Sequence, residues 1–138
     1  MNNKKIVFFM PFIGGGGVEK NLFIIANFFS KKFNKVIICT YSKKYRNRFN
    51  KKIIFLNHKL NFSEKINLRI KYLLCLFSLF KFLLQNKNTL VFSFQANIYC
   101  IMLCKFLNVR IVSRSNSSPS GWYHNSIKKF IYKKIISL

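Results

Sequence analysis

The chain has 138 residues, of which 51% are hydrophobic, so it fits one domain with a buried core and is too apolar for a disordered protein. Lysine and arginine number 25 against only two acids, Glu19 and Glu64, which gives a formal net charge of +23. With no aspartate and two distant glutamates, the chain has no carboxylate cluster that could hold Mg²⁺.

The first half of the chain alternates strand-like and helix-like segments. Residues 6–10 are a continuous β-branched and aromatic run, which predicts a strand buried on both faces. After four glycines, apolar residues at helical spacing predict a helix over 18–33. A second strand is predicted over 35–41, a basic loop over 41–50 and a short third strand over 52–56.

The second half continues the alternation. A long helix is predicted over 64–85, with Ser63 as its N-cap and Glu64 at its positive end. Later elements are a strand over 89–94, a helix over 96–107, a strand over 109–113 and a helix from 125 to the chain end. Strands that alternate with helices form parallel βαβ units with right-handed crossovers. The sequence therefore predicts an α/β fold, a Rossmann-like, doubly wound and mostly parallel sheet over 1–138.

The positive charge has three explanations, which remain open. Lysine, asparagine, isoleucine and phenylalanine are over-used along the whole chain, so the charge can be compositional. It can also serve nucleic-acid binding, or an anionic membrane surface at about 1 kcal/mol per well-placed cation. The basic residues form no arginine-rich tract, and no aromatic RNA-binding signature is present, so nucleic acid is the less favoured partner.

The cysteines and the apolar segments indicate in which cellular compartment the protein is expected. Cys39, Cys75, Cys100 and Cys104 form no close CxxC pair, so we expect free buried thiols in a reducing cytoplasm. The N-terminal apolar run is broken by Pro11 and has no cleavage site, unlike a signal peptide. Residues 72–84 include Lys81 and fall short of the ~20 residues that span a bilayer, so a buried or interfacial helix is expected.

The stretch GGGGVEK lies between the first strand and the first helix. Glycines there let backbone amides approach an anion, which the helix N-terminus favours. The stretch is neither GxGxxG nor a Walker P-loop, and Thr40 and Ser42 stand where a dinucleotide-binding domain has a ribose-binding acid. A nicotinamide dehydrogenase is therefore disfavoured, and so is a self-contained nucleotide-binding module.

Glu19, in the first turn of the predicted helix, has two interpretations. Its carboxylate can complement the helix dipole, worth about 0.3–1 kcal/mol. It can instead hold the glycine loop in place beside a ligand. The local sequence favours the dipole interpretation.

Two stretches of the sequence resemble family 4 glycosyltransferases of the GT-B fold. Gly16, Gly17, Glu19 and Lys20 are similar to the G-G-x-E-(K/R) loop of that family, and the helix pattern that follows it matches at Ile24, Ala26 and Asn27. The stretch LVFSFQANIYCIMLCKFLNVRIVSRSNSSPSGW resembles the fourth strand, the helix, the fifth strand and the following loop of polysaccharide-building relatives. The resemblance covers the N-terminal of the two Rossmann-like domains of the family.

The resemblance implies an acceptor-binding domain of a retaining enzyme that transfers a sugar from an NDP-sugar without a bound metal or other cofactor. The implied partners are the nucleotide-sugar, a glycan or lipid-linked acceptor, and the cytoplasmic face of the membrane, in cell-surface polysaccharide or lipopolysaccharide synthesis. The C-terminal donor domain with its E-x₇-E motif is not in this sequence, and the apolar end YKKIISL predicts a domain cut mid-fold. We expect the chain alone to be inactive. The alternative is a small basic protein that binds nucleic acid or a membrane surface.

The resemblance also assigns site residues by position. The cleft loop near the donor phosphates would be formed by Gly15, Gly16, Gly17 and Glu19. Acceptor-binding positions would be Ser93, Gln95, Asn97, Arg114 and Asn116. His58 and His124 do not match the histidine that many family members carry in this domain, so no catalytic residue is assigned.

Overall fold

The computed structural model of the protein describes residues 5–42, 44–56, 67–95 and 97–114. Five strands alternate with three α-helices, and one short 3-10 turn, Arg46–Arg48, lies between the second and third strands. The elements are β1 (Lys5–Phe9), α1 (Gly17–Phe29), β2 (Lys35–Cys39), β3 (Ile54–Leu56), α2 (Leu68–Gln85), β4 (Thr89–Ser93), α3 (Asn97–Phe106) and β5 (Arg110–Ser113).

All five strands are parallel and lie in the order β3-β2-β1-β4-β5. The chain therefore proceeds outward from β1 in one direction through β2 and β3, and in the other direction through β4 and β5. A parallel pairing needs a crossover connection, which the helices supply. The predicted Rossmann-like, doubly wound sheet is confirmed.

The core has two halves, one on each face of the sheet, and β1 contributes to both. Ile6, Phe8 and Met10 pack on one face with α1 residues such as Leu22. Val7 and Phe9 pack on the other face with residues of α2 and α3. Because β1 lies in the middle of the sheet, four of its five residues are buried, as its continuous apolar sequence predicts.

The ends of several elements differ from the predicted ones. α1 ends at Phe29 rather than at residue 33, because tight turns take over: the amide of Lys31 bonds the carbonyl of Phe28, three residues back. The predicted start of α2 at residue 64 is wrong. The helix begins at Leu68, and Asn67 is its N-cap, whose Oδ1 accepts from the amide of Arg69 at 3.1 Å. Ser63, Glu64 and the predicted helix from 125 lie outside the described residues.

Each strand end lies within two residues of its predicted position. β3 pairs over only three residues, so its predicted first two residues lie outside the ladder. Hydrogen bonding between the segments of β1 and β2 continues past the last residues of these two strands. The Met10 amide still bonds the Cys39 carbonyl at 3.0 Å, and the Tyr41 amide bonds the Pro11 carbonyl at 3.0 Å.

All four cysteines are free and buried, and they share the half of the core that lies under α2 and α3. The Cys39 thiol donates to the carbonyl of Cys75 at 3.4 Å. Its interaction with Cys75 and its burial raise the pKa of the Cys39 thiol well above its usual value. A hydrogen bond with Cys104 and burial likewise raise the pKa of the Cys100 thiol. The prediction of free buried thiols is confirmed.

We expect the native protein to resist thiol alkylation. Both a raised pKa and burial reduce the amount of accessible thiolate, which is the reactive form. N-ethylmaleimide at about pH 8 should leave the folded chain unmodified over a period in which the urea-unfolded chain gains four adducts, counted by mass spectrometry. Fast labelling of Cys39 without urea would contradict the packing described here.

Candidate functional site

The sheet has one topological switch point, between the carboxyl ends of β1 and β4. The connections from these two strands lead in opposite directions, so the loops that follow them leave a crevice at the strand ends. Phe9 and Ser93 are partners in the β1–β4 register, and the Phe94 amide bonds the Phe9 carbonyl at 3.0 Å. The glycine loop after β1 and the predicted acceptor positions after β4 therefore lie beside each other.

The glycine loop is closely packed at Gly15. This residue has φ = +99°, a backbone conformation that side chains rarely adopt. A Cβ at Gly15 would lie 2.8 Å from the hydroxyl oxygen of Tyr45, so a side chain there would have to displace the end of the Tyr45 side chain as well as adopt a strained backbone conformation. At Gly17, the first residue of α1, a Cβ would meet nothing within 4 Å. Only part of the glycine run is required by the geometry.

Glu19 is turned back onto this loop. Its side chain is 8% exposed, and its Oε1 accepts a hydrogen bond from the Gly14 amide at 3.3 Å. Its Oε2 lies 3.0 Å from the place where a Cβ of Gly16 would stand. The residue is in the first turn of α1, so it also complements the helix dipole. The dipole interpretation alone omits the contact with Gly14, through which the carboxylate fixes the loop.

Thr40 and Ser42 support the start of the same loop from β2. Thr40 is fully buried, and its hydroxyl donates to the Pro11 carbonyl at 3.4 Å. The Ser42 hydroxyl accepts from the Ile13 amide at 3.0 Å. These side chains replace the ribose-binding acid of dinucleotide-binding domains, and here they bond backbone groups of the loop.

Ser93, Asn97 and Arg114 form a network that joins the ends of β4 and β5. The buried Ser93 hydroxyl lies 2.9 Å from Asn97 Oδ1 and 3.0 Å from the Gln95 carbonyl, both acceptors. Asn97 Nδ2 donates to the Arg114 carbonyl at 2.5 Å, and the Arg114 amide donates to the Ser93 carbonyl at 2.9 Å. Much of the hydrogen-bonding capacity of Ser93 and Asn97 is therefore used to hold the crevice wall.

Gln95 differs from its neighbours. Its side-chain oxygen, Oε1, is buried and has no hydrogen-bond partner within the part of the chain that the structure describes. A buried acceptor without a partner is unusual and costs about 1–3 kcal/mol. Among the predicted acceptor positions that the structure describes, Gln95 is thus the one whose buried side-chain oxygen makes no hydrogen bond. Asn116 lies outside the described residues.

Two further aromatic residues flank the loop and were not predicted. Tyr45 approaches from the β2–β3 connection, and its hydroxyl makes a long hydrogen bond, 3.4 Å, with the Gly14 carbonyl. Phe12 lies on the other side, 3.1 Å from the place of a Gly14 Cβ. The Lys71 ammonium of α2 lies 5.5 Å from the Phe12 ring centre and 5.6 Å from that of Tyr41. No local sequence signal marks Tyr45 or Lys71 as neighbours of the loop region, because they come from separate segments of the chain.

The crevice thus combines backbone amides at a helix start, an unpartnered amide oxygen and nearby cations. Such a set can bind an anionic group and a hydroxyl-rich group side by side. Among the described residues, histidine, cysteine and acidic side chains nowhere gather in groups of three that could hold a metal ion.

We expect opposite effects from alanine at the two ends of the glycine run. Gly15→Ala should lower the free energy of unfolding by about 1–3 kcal/mol, because φ is positive and Tyr45 occupies the space. Gly17→Ala should raise it by about 0.4–1 kcal/mol, since the site is open and in a helix. Urea unfolding curves of both variants measure the difference, and equal effects would show that the loop geometry is not as described.

Comparisons with known proteins bear on the fold. No protein-family model matches the chain, and no curated protein matches it. Among solved structures, the chain is similar to a ugt transferase from Siraitia grosvenorii in complex with UDP, with a TM-score of 0.51 and 12% sequence identity. The match covers 83% of this chain and 28% of the transferase, so the chain spans less than a third of that protein's length. At this identity the likeness concerns the fold, which is a Rossmann-like fold found in a glycosyltransferase.

Proposed function

We propose that this chain is the acceptor-side N-terminal domain of a GT-B glycosyltransferase similar to family 4, which transfers a sugar from an NDP-sugar with retention of configuration. One observation carries the proposal: the glycine loop, fixed by Glu19, lies at the switch point of a parallel sheet. The likeness to a transferase that binds UDP supports it. The acceptor would be a glycan or lipid-linked sugar in cell-surface polysaccharide or lipopolysaccharide synthesis.

On the donor side, the glycine loop would face the diphosphate of the NDP-sugar. Gly16 is the N-cap of α1 and has no side chain to satisfy the amides of the first turn. Those amides and nearby cations would stabilise negative charge that develops on the leaving diphosphate. The reaction would then need no bound metal. The proposal requires a second, donor-binding domain, because this chain supplies only one wall of such a cleft.

On the acceptor side, Gln95 would accept a hydrogen bond from a sugar hydroxyl through its unpartnered Oε1. Arg114, at the end of β5, would contact a phosphate or hydroxyl group beside it. Ser93 and Asn97 would act mainly by holding Arg114 and the turn after β4 in position, through the bonds described above. Asn116 stays an expected acceptor contact.

We expect the natural protein that contains this sequence to transfer sugar, and Gln95→Ala to impair that transfer. Loss of one hydrogen bond to the acceptor should raise KM for the acceptor about tenfold. Gln85→Ala is a matched control, because Gln85 is exposed at the end of α2. The assay follows labelled sugar from a panel of NDP-sugars into a membrane extract, with and without EDTA. No transfer from any donor, or full inhibition by EDTA, would refute the proposal.

A second observation favours docking to an anionic membrane surface. Exposed apolar side chains follow one another along α2, and exposed cations, Arg69 and Lys81, accompany them. No described helix combines the length and apolar character needed to cross a bilayer. An exposed apolar face with flanking cations suits binding at the membrane interface. The apolar residues are Leu68, Ile70, Leu73, Phe77 and Leu84.

We expect the chain to co-sediment with vesicles that contain phosphatidylglycerol and not with pure phosphatidylcholine vesicles. Leu73→Gln should weaken this binding about tenfold, since a leucine side chain would no longer be buried in lipid. Ile24→Gln, on the opposite face of the sheet, is the control, because Ile24 is 67% exposed and Leu73 is 65% exposed. Equal losses in the two variants, or equal binding to both lipids, would reject the α2 face as the docking surface.

A further inference from the structure

The connection between β2 and β3 is the most densely basic part of the described chain. Lys44, Arg46, Arg48, Lys51 and Lys52 are all exposed. Glu19 is the only acid among the described residues, and it is 8% exposed with its carboxylate on the glycine loop. The described part of the chain therefore has no other carboxylate to neutralise these cations.

Aromatic rings hold the two arginines in place. The guanidinium carbon of Arg46 lies 4.7 Å from the ring centre of Phe55. That of Arg48 lies 5.7 Å from the ring centres of both Phe23 and Tyr45. A guanidinium within about 6 Å of a ring centre is attracted to the ring and still carries N–H donors for an anion such as phosphate.

The Asn27 side chain of α1 fixes the turn that carries the arginines through two hydrogen bonds. Asn27 Nδ2 donates to the Arg48 carbonyl at 2.9 Å, and Asn27 Oδ1 accepts from the Asn50 amide at 2.7 Å. Phe49 is buried between these residues and packs edge-on against Phe23, with ring centres 5.0 Å apart. The cations are thus presented on a preorganised turn, which reduces the entropy lost on binding.

Tyr45 connects this turn to the glycine loop. The Lys44 ammonium lies 5.1 Å from the centre of the Tyr45 ring, and the Tyr45 hydroxyl donates to the Gly14 carbonyl. Its φ is +64°, in the left-handed region, which is uncommon for a bulky residue and typical of binding sites. Lys44 and Arg48, the two cations beside the Tyr45 ring, are therefore linked through this residue to the glycine loop.

We propose that Lys44, Arg46 and Arg48, which we name the arginine turn, bind a phosphate-bearing group, the phosphate or diphosphate of the acceptor. Guanidinium groups match phosphate oxygens in geometry and charge. The identification of this group as part of the acceptor rests on the proposed function. Binding of phosphate to the turn does not, and it can be measured without any sugar transfer.

The test is calorimetric titration of the 138-residue chain with inorganic pyrophosphate at about 0.15 M salt. The double variant Arg46→Gln with Arg48→Gln should raise the dissociation constant about tenfold or more, because charge-assisted hydrogen bonds are lost. The control removes the same charge elsewhere, with Lys87→Gln and Arg110→Gln, both exposed and outside both proposed surfaces. We expect the control to change affinity less than about twofold.

A charge-preserving variant separates geometry from net charge. Arg46→Lys with Arg48→Lys keeps both cations and loses the planar fork, so its affinity should lie between those of the wild type and the glutamine variant. Unfolding curves of all variants show whether they fold. Equal loss of affinity in the Lys87/Arg110 control and in the Arg46/Arg48 variant would overturn the proposal, and so would a wild type that does not bind pyrophosphate.

Two further arms identify the source of the phosphate. Stronger binding to phosphatidic acid vesicles than to pyrophosphate supports a lipid headgroup, and the reverse supports a soluble phosphate. The second arm uses a duplex oligonucleotide. If the Arg46/Arg48 glutamine variant lost affinity for the duplex but bound pyrophosphate as the wild type does, the turn would be assigned to nucleic acid and the proposal would be overturned. Sugar transfer by the natural protein without pyrophosphate binding would refute this inference and leave the proposed function intact.

Discussion

The burial of β1 on both faces is the constraint around which the other elements are arranged. A strand with apolar side chains in both directions needs helices above and below the sheet, and α1 covers one face while α2 and α3 cover the other. Because both of its faces are covered, β1 lies in the middle of the sheet. The chain proceeds outward from β1 in both directions. The switch point, and with it the crevice, follows from this central position.

The crevice is held open by hydrogen bonds that involve the backbone. On one side, Glu19, Thr40 and Ser42 bond backbone groups between Pro11 and Gly14. On the other side, Ser93 and Asn97 join the end of β4 to Arg114. A rigid crevice with few mobile side chains suits a ligand bound largely through backbone amides.

Electrostatics gives the two proposed surfaces a common basis. A chain with a net charge of +23 repels itself, and binding of an anion relieves that repulsion. The arginine turn and the α2 face would bind anions in different ways, since the turn presents guanidinium groups close to aromatic rings and the helix mixes cations with exposed apolar side chains. They lie toward opposite faces of the sheet, because Phe23 and Phe49 pack with α1 whereas α2 packs across the sheet.

Local sequence was sufficient for the elements whose periodicity is strong. The continuous apolar run of β1 and the helical spacing in α1 predicted both elements and the doubly wound fold. The ends of the elements were less predictable, because more than one residue near a helix start is suited to be its N-cap. Asn67 caps α2, and nothing in the local pattern favours it over Ser63. The glycine run between β1 and α1 was visible in the sequence, and its role in ligand binding stays a prediction.

The sequence by itself therefore determined the order of the elements, the buried central strand and the position of the glycine loop. The tertiary structure alone decided how the side chains at the strand ends are used. Asn97 bonds the Arg114 carbonyl across 17 positions of the sequence, and the Tyr45 hydroxyl bonds the Gly14 carbonyl across 31. Such contacts depend on which strands become neighbours in the sheet, and periodicity along the chain carries no information about distances across it.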